Sequence, residues 1–192
     1  MILEAKRAFS RRQDRWKNLA GARLKAGLDK GEAAAYVVAQ ETTDQIREGM
    51  RSFGINVNEL EKSGALHVIH CQDWYFKGGT FDALKVMGLW KNLHDEVTAK
   101  GFKGLRVTGE TASFFEQKKV KELVEYERSL HRTVELPMGI ICAYDKEVVA
   151  KECSGKLYMD LIKAHGTTLF SGPEAGIVKT PSNTVATSTL VS

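Results

Sequence analysis

Apolar residues come in short blocks along this chain, and the blocks follow two spacings. Ala33 to Ala39 (AAAYVVA), Leu66 to Cys71 (LHVIHC) and Met138 to Ala143 (MGIICA) are nearly continuous apolar runs, the mark of strands covered on both faces. Gly104 to Glu110 (GLRVTGE) alternates apolar and polar, then stops at a glycine followed by a carboxylate. Thr167 to Phe170 predicts a last short strand before Ser171-Gly172-Pro173. Between these blocks the spacing becomes helical. Ile46, Met50 and Phe53 mark one helix, capped by Thr42 or Thr43 and stopped by Gly54. Leu84, Met87, Trp90, Leu93 and Val97 mark a second, closed by Gly101. A third covers 120–134, with Leu123, Tyr126 or Glu127, and Leu130 turned inward, and a fourth covers 146–164. Trp16, Ala20, Leu24 and Leu28 predict a helix over residues 1–30, ending at Gly31. Ile55 and Val57 read as a loop or short turn.

Strands alternating with helices imply βαβ units: a single α/β domain with a mainly parallel sheet and helices on both faces. Residues 1–30 form a basic amphipathic leader, 31–179 the α/β domain, and 180–192 a Ser/Thr-rich tail without charge that reads as flexible. Two parallel strands ending in Glu110 and Asp145 put both carboxylates on one rim. In open α/β sheets that rim is where ligands bind.

Composition adds limits more than functions. A chain of 192 residues that is 43% hydrophobic can bury one sizeable core. The formal charge of +4 is modest, and much of the basic excess lies between Lys6 and Lys25. A solvated helix face explains that excess, and a nucleic-acid contact has no support beyond it. The three cysteines, Cys71, Cys142 and Cys153, lack metal-ligand or disulfide spacing. With no signal peptide and no long apolar run, a reduced cytoplasmic setting without membrane contact is expected.

Catalytic signatures are missing. Ser154-Gly155-Lys156 is the nearest approach to a phosphate loop, but Leu157 replaces the hydroxyl residue and Ala150 stands at the first glycine. His70 and Cys71 leave one strand end but point to opposite faces, so no metal site is assigned. What remains is polar: a buried Arg106 needs a carboxylate, and Glu110 or Glu127 are the candidates. Such a network is either a structural lock for the sheet rim or the polar floor of a pocket. Trp74, Tyr75 and Phe76, adjacent in a loop that continues into Gly78-Gly79, either pack beneath the rim or line that pocket.

The order LKAGLDKGE, AYVV, GINVNELEKSGAL, GGTFD, GLRVTGE, VEYERSLH and CAYD resembles the MEDS family, the methanogen/methylotroph, DcmR sensory domain, from about Leu24 to Val178. The resemblance implies a degenerate relative of the RecA/KaiC-type ATPase core without a phosphate loop. It implies a regulatory module that senses small one-carbon or hydrocarbon-derived compounds. Carried over by residue, Arg106, Thr108 and Glu110 fall in the family's G-x-R-x-x-G-E strand, Glu127 in its Y-E helix, and Tyr144 and Asp145 in its C-x-Y-D strand end. Family members open with an apolar strand, whereas Met1 to Ser10 is charged and reads as helical. The vacancy is expected to be filled by a tail strand, Thr184 to Val191, or by a second chain. No output module is read in the sequence, so action through a partner or by self-association is expected.

The function expected is therefore non-catalytic sensing of a small organic ligand, without cofactor or metal. Its site would draw on Arg106, Thr108, Glu110, Glu127, Tyr144, Asp145, Trp74, Tyr75 and Phe76. The alternatives are a nucleotide-binding remnant of the ATPase, and a nucleic-acid-binding regulator using the basic helix.

Overall fold

The run at 33–38 is buried at every position, with Ala33, Ala35 and Val37 packed into one cluster and Ala34, Tyr36 and Val38 into another. A strand of that kind needs a layer on each side. The structure, a computed structural model, describes residues 2–4, 13–133, 138–165, 167–171 and 176–179. In chain order the elements are β1 (Ile2–Glu4), α1 (Gln13–Leu28), β2 (Ala33–Val38), α2 (Thr43–Ser52), α3 (Val57–Ser63), β3 (Leu66–His70), α4 (Cys71–Trp74) and α5 (Ala83–Ala99). There follow β4 (Leu105–Glu110), α6 (Ala112–Glu116), α7 (Val120–Thr133), β5 (Met138–Asp145), α8 (Lys146–Glu152), α9 (Gly155–Lys163), β6 (Thr167–Ser171) and β7 (Gly176–Lys179).

The strands form one sheet in the order β3-β2-β4-β5-β1-β6-β7. Every pairing is parallel except that of β6 with β7. One face is covered by α1, α2 and α3, through Ala20, Leu24, Ile46, Met50 and Val57. The other is covered by α5, α6, α7 and α9, through Trp90, Val97, Phe114, Leu123 and Leu161. The expected α/β class, with a mainly parallel sheet between helical layers, is the observed one.

Local chemistry sets the helix ends. Thr42 and Gln45 form a reciprocal capping box at the start of α2. Gly64 closes α3 in the left-handed conformation (φ 76°), which costs a residue without Cβ nothing. Asp82 and Ser154 cap α5 and α9 through their side-chain oxygens.

Several expectations need correction. The opening stretch is not wholly helical: Ile2–Glu4 is a strand, held between β5 and β6 with Ile2 in register with Ala143 and Leu169. Three residues suffice there, because backbone hydrogen bonds from two neighbours supply what a short apolar run cannot. The position thought vacant is therefore filled from the chain's own start, while the supposed tail strand at 184–191 lies outside the described residues. The loop read around Val57 is helix α3, anchored by buried Ile55 and Val57. The aromatic loop opens with α4, and the single helix read at 146–164 is two, divided at Cys153 and Ser154. In α5 the inward face runs Val86, Trp90, Leu93 and Val97, and Leu84 points outward, 77% exposed.

Candidate functional site

Strand β4 presents Arg106, Thr108 and Glu110 to one face, because successive side chains on a strand alternate. Arg106 lies near its amino-terminal end and meets neither expected carboxylate. Its Nε and Nη2 donate to Glu32 at 2.7 and 2.9 Å, and Nη1 donates to the Arg23 carbonyl at 3.3 Å. The expected pairing with Glu110 or Glu127 is thus corrected. Glu110 shares the face of Arg106 but sits at the opposite strand end, and Glu127 lies beneath the other face. Thr108 is fully buried between them, and its hydroxyl has no hydrogen-bond partner among the described residues.

Glu110 ends β4 as a buried acceptor. The Tyr36 hydroxyl donates to Oε1 at 2.9 Å, while the backbone N–H groups of Ala39 and Gln40 donate to Oε2 at 2.7 and 2.9 Å. Burial pushes its carboxyl above the ordinary value, against the opposing pull of these hydrogen bonds. The carboxylate therefore ties down the segment that leaves β2 and runs into the Thr42 cap of α2. Beyond that segment lies an open cleft of about 470 Å³, lined by Glu41, Thr42, Thr43, Arg47, Val68, Ile69, His70 and Asp73. It sits at the carboxyl end of edge strand β3. Val68 and Ile69 give it apolar wall, and hydroxyls, imidazole and carboxylates give it directed polar groups. Arg47 is held by Asp44 at 2.8 Å and Glu61 at 2.9 Å.

Glu127 occupies the opposite layer. Helix α7 lays Tyr126 and Glu127 against the sheet, and Glu127 is 1% exposed. Its Oε1 accepts the Tyr144 hydroxyl at 2.7 Å, and Oε2 accepts the Cys142 thiol at 3.3 Å. His165 Nε2 lies 3.3 Å from the same Oε2. Burial favours the neutral acid, but His165, Tyr144 and Cys142 outweigh it and hold the carboxyl down to about 2. Burial, then the Glu127 charge, pushes the Cys142 thiol and Tyr144 phenol well up. This is a charged, fully enclosed network between α7, β5 and the end of α9. Neither Cys142, noted only as a cysteine and within CAYD, nor His165 was marked as a site residue in the sequence.

The three adjacent aromatics are packed into the core. Tyr75 and Phe76 are 6% and 1% exposed, and their rings meet Phe114 at 5.2 and 5.0 Å between centroids. Half-buried Trp74 lies against Trp90 at 4.4 Å. Trp90 in turn donates its indole N–H to the Tyr126 hydroxyl at 2.7 Å. Tyr144, expected among the site residues, is buried with its hydroxyl committed to Glu127. Asp145 caps α8, accepting from the N–H groups of Glu147 and Val148 at 2.9 and 3.3 Å. Gly78 and Gly79 both have positive φ, and the turn they make leads to α5, whose first N–H groups are taken by Asp82. The structure therefore scatters the expected site residues: Arg106 pairs with Glu32, Glu110 latches the segment behind the cleft, Glu127 and Tyr144 share the enclosed network, the aromatics pack in the core, and Asp145 caps α8.

Residues 8–166 match the family model of the methanogen/methylotroph, DcmR sensory domain. The chain belongs to the MEDS family. No curated protein matches this MEDS domain in sequence. Among solved structures it is similar to the uncharacterized protein PH0321 of Pyrococcus horikoshii, crystallised with an unknown peptide. That match has a TM-score of 0.68 at 12% identity, over 94% of this chain and 83% of that one. It is also similar to the KaiC-like protein PH0186 of the same organism, with a TM-score of 0.58 at 17% identity over 94% and 78% of the two chains. The flagellar accessory protein FlaH of Methanocaldococcus jannaschii gives 0.53 at 17% identity, over 93% and 77%. At these identities the likeness is one of fold, and the MEDS domain has a RecA/KaiC-like fold. No helix among the described residues is long and apolar enough to cross a membrane.

Proposed function

We propose that this MEDS domain is a non-catalytic receptor for a small one-carbon or hydrocarbon-derived organic molecule, and that it acts in regulation through a partner protein or a second copy of itself. The observation that carries the reading is the cleft at the carboxyl ends of β2 and β3. Its volume of about 470 Å³ suits a small ligand, and it lies where open parallel sheets bind theirs. Val68 and Ile69 would meet a short hydrocarbon part. Thr42, Thr43, His70 and Asp73 would meet a hydroxyl, amine or halogen-bearing carbon.

A receptor signals only if ligand favours one of two conformations. The segment from Ala39 to Thr42 suits that role. Its first N–H groups hang on Glu110 inside the fold, and its end opens α2 at the cleft. A ligand pulling on Thr42 or Thr43 would strain or relax this latch.

The second reading, a nucleotide-binding remnant, draws support from the KaiC-like neighbours. Against it, the stretch Ala5 to Arg12 (AKRAFSRR), which follows β1, contains no glycine to wrap phosphates, and Asp145 is engaged as a helix cap. Thermal-shift and calorimetric titration with short alcohols, methylated amines, halomethanes, and ATP with magnesium separates the two. The expected result is stabilisation by one class of organics, lost in folded Thr43→Val and Asp73→Asn. Stabilisation by ATP with magnesium alone, or organic binding untouched by both variants, would overturn the cleft reading.

A further inference from the structure

We propose that Glu127, Cys142 and His165 form a binding site for a divalent transition ion of the zinc type, on the sheet face opposite the cleft and independent of it. One oxygen, one sulfur and one nitrogen, all buried, lie within 4.8 Å of one another. Oε2 of Glu127 is 3.3 Å from both the Cys142 sulfur and the His165 Nε2. Ligands about 2.0 to 2.3 Å from a tetrahedral ion stand roughly 3.3 to 3.7 Å apart, so small side-chain adjustments would accommodate one. The donor set is that of zinc or cobalt rather than calcium or magnesium, which take oxygen.

The surroundings are those of a prepared ligand set. His165 Nδ1 is 2.9 Å from the Leu161 carbonyl. A carbonyl only accepts, so Nδ1 carries the hydrogen and Nε2 is the atom turned towards the carboxylate. With the hydrogen on Nδ1, Nε2 is the ring atom whose lone pair a cation beside Glu127 Oε2 would take. Metal-bound histidines almost always donate their other N–H in this way. The Tyr144 hydroxyl meanwhile holds the second Glu127 oxygen at 2.7 Å, fixing the carboxylate's orientation. Three separate elements supply the ligands: α7, β5 and the residue pair following α9. An ion would thus join the last helix and β6 to the centre of the sheet.

Binding needs no oxidant or reductant. The metal–sulfur bond forms as the Cys142 proton leaves to solvent, while the Glu127 oxygen and His165 Nε2 each donate a lone pair.

The test uses the full chain, stripped with chelator and titrated with cobalt(II) in place of zinc. The expected result is one equivalent bound, with a thiolate-to-cobalt charge-transfer band and visible bands of tetrahedral intensity, all displaced by zinc(II). The bands should vanish in Cys142→Ala and persist in Cys153→Ser, since Cys153 lies outside the cluster and is only partly buried. Should Cys142→Ala fail to fold, X-ray absorption at the zinc edge of the wild-type protein decides instead. One sulfur with nitrogen and oxygen neighbours supports the site. A folded wild-type chain without a charge-transfer band, a band lost with Cys153, or a zinc shell without sulfur would overturn it.

Discussion

Arg106 and Glu32 form a two-point ion pair at the amino-terminal end of the sheet, Nε to Oε2 at 2.7 Å and Nη2 to Oε1 at 2.9 Å. Helix α1 closes over them at Gly27, where a Cβ would stand 2.6 Å from Arg106 Nε. The side chains are 17% and 25% exposed, so water still screens part of the attraction. Arg106→Ala is expected to cost about 1–3 kcal/mol, between the exposed and the fully buried cases. Urea unfolding measures that loss. Ligand binding at the cleft should survive in the folded variant, since Arg106 is not among the residues lining the cleft. A stable variant that no longer binds ligand would return Arg106 to the binding site.

Gly109 is required by contact, not by turn geometry. A Cβ there would collide with the Tyr75 hydroxyl, and Tyr75 is itself locked between Phe114 and Tyr126 at 5.2 and 6.3 Å. Overpacking of this kind costs about 1–3 kcal/mol. Gly109→Ala should lower the melting temperature, and adding Tyr75→Phe should recover part of the loss by removing the colliding oxygen. Two losses that simply add would mean the collision is relieved elsewhere.

Glu110 gives the pH signature. Burial raises its folded-state value above that of the unfolded chain. At low pH both states hold the proton. As pH climbs past the unfolded value, near 4.5, the unfolded chain ionises first while the native carboxyl resists, so stability falls until the raised folded value is passed and is then level. Glu110→Gln, which cannot ionise, should lack this decline. Urea midpoints of the two proteins from about pH 4 to about pH 7 should draw apart, with wild type losing ground. If wild type instead gains as pH rises, the hydrogen bonds from Tyr36, Ala39 and Gln40 outweigh burial.

The strands at 33–38 and 138–145 were legible as apolar runs that need two covered faces, and that at 105–110 by its alternation ending in a carboxylate. Which carboxylate meets which partner was not. In sequence, Glu110 at a strand end and Glu127 on the following helix were equally open as partners for Arg106. Strand alternation turns Glu110 towards α1 and α2, whereas α7 crosses beneath the other face, and no local pattern tells which layer a crossover helix takes. The Cys142, His165 and Glu127 cluster was hidden for a similar reason. Its members come from three elements whose approach is set by the stacking of α7 and α9. The aromatic triplet offered burial or a ligand wall equally in sequence, and the rings of Phe81 and Phe114, brought in from elsewhere, complete the packing. Ile2–Glu4 was missed because three residues carry too little periodicity to announce a strand.

That short strand also sets where the longest loops of the sheet close. Among the described residues β1 pairs with β5 and β6, which lie far along the sequence from it, so these pairings close long loops. The half of the sheet built from β2, β3 and β4 has its partners close by in sequence and suits early formation. Closing the longest loops comes last because it pays the most chain entropy before any contact repays it. Residues 2–4 thus serve as the seam between β5 and β6, closed by the contacts most distant in sequence.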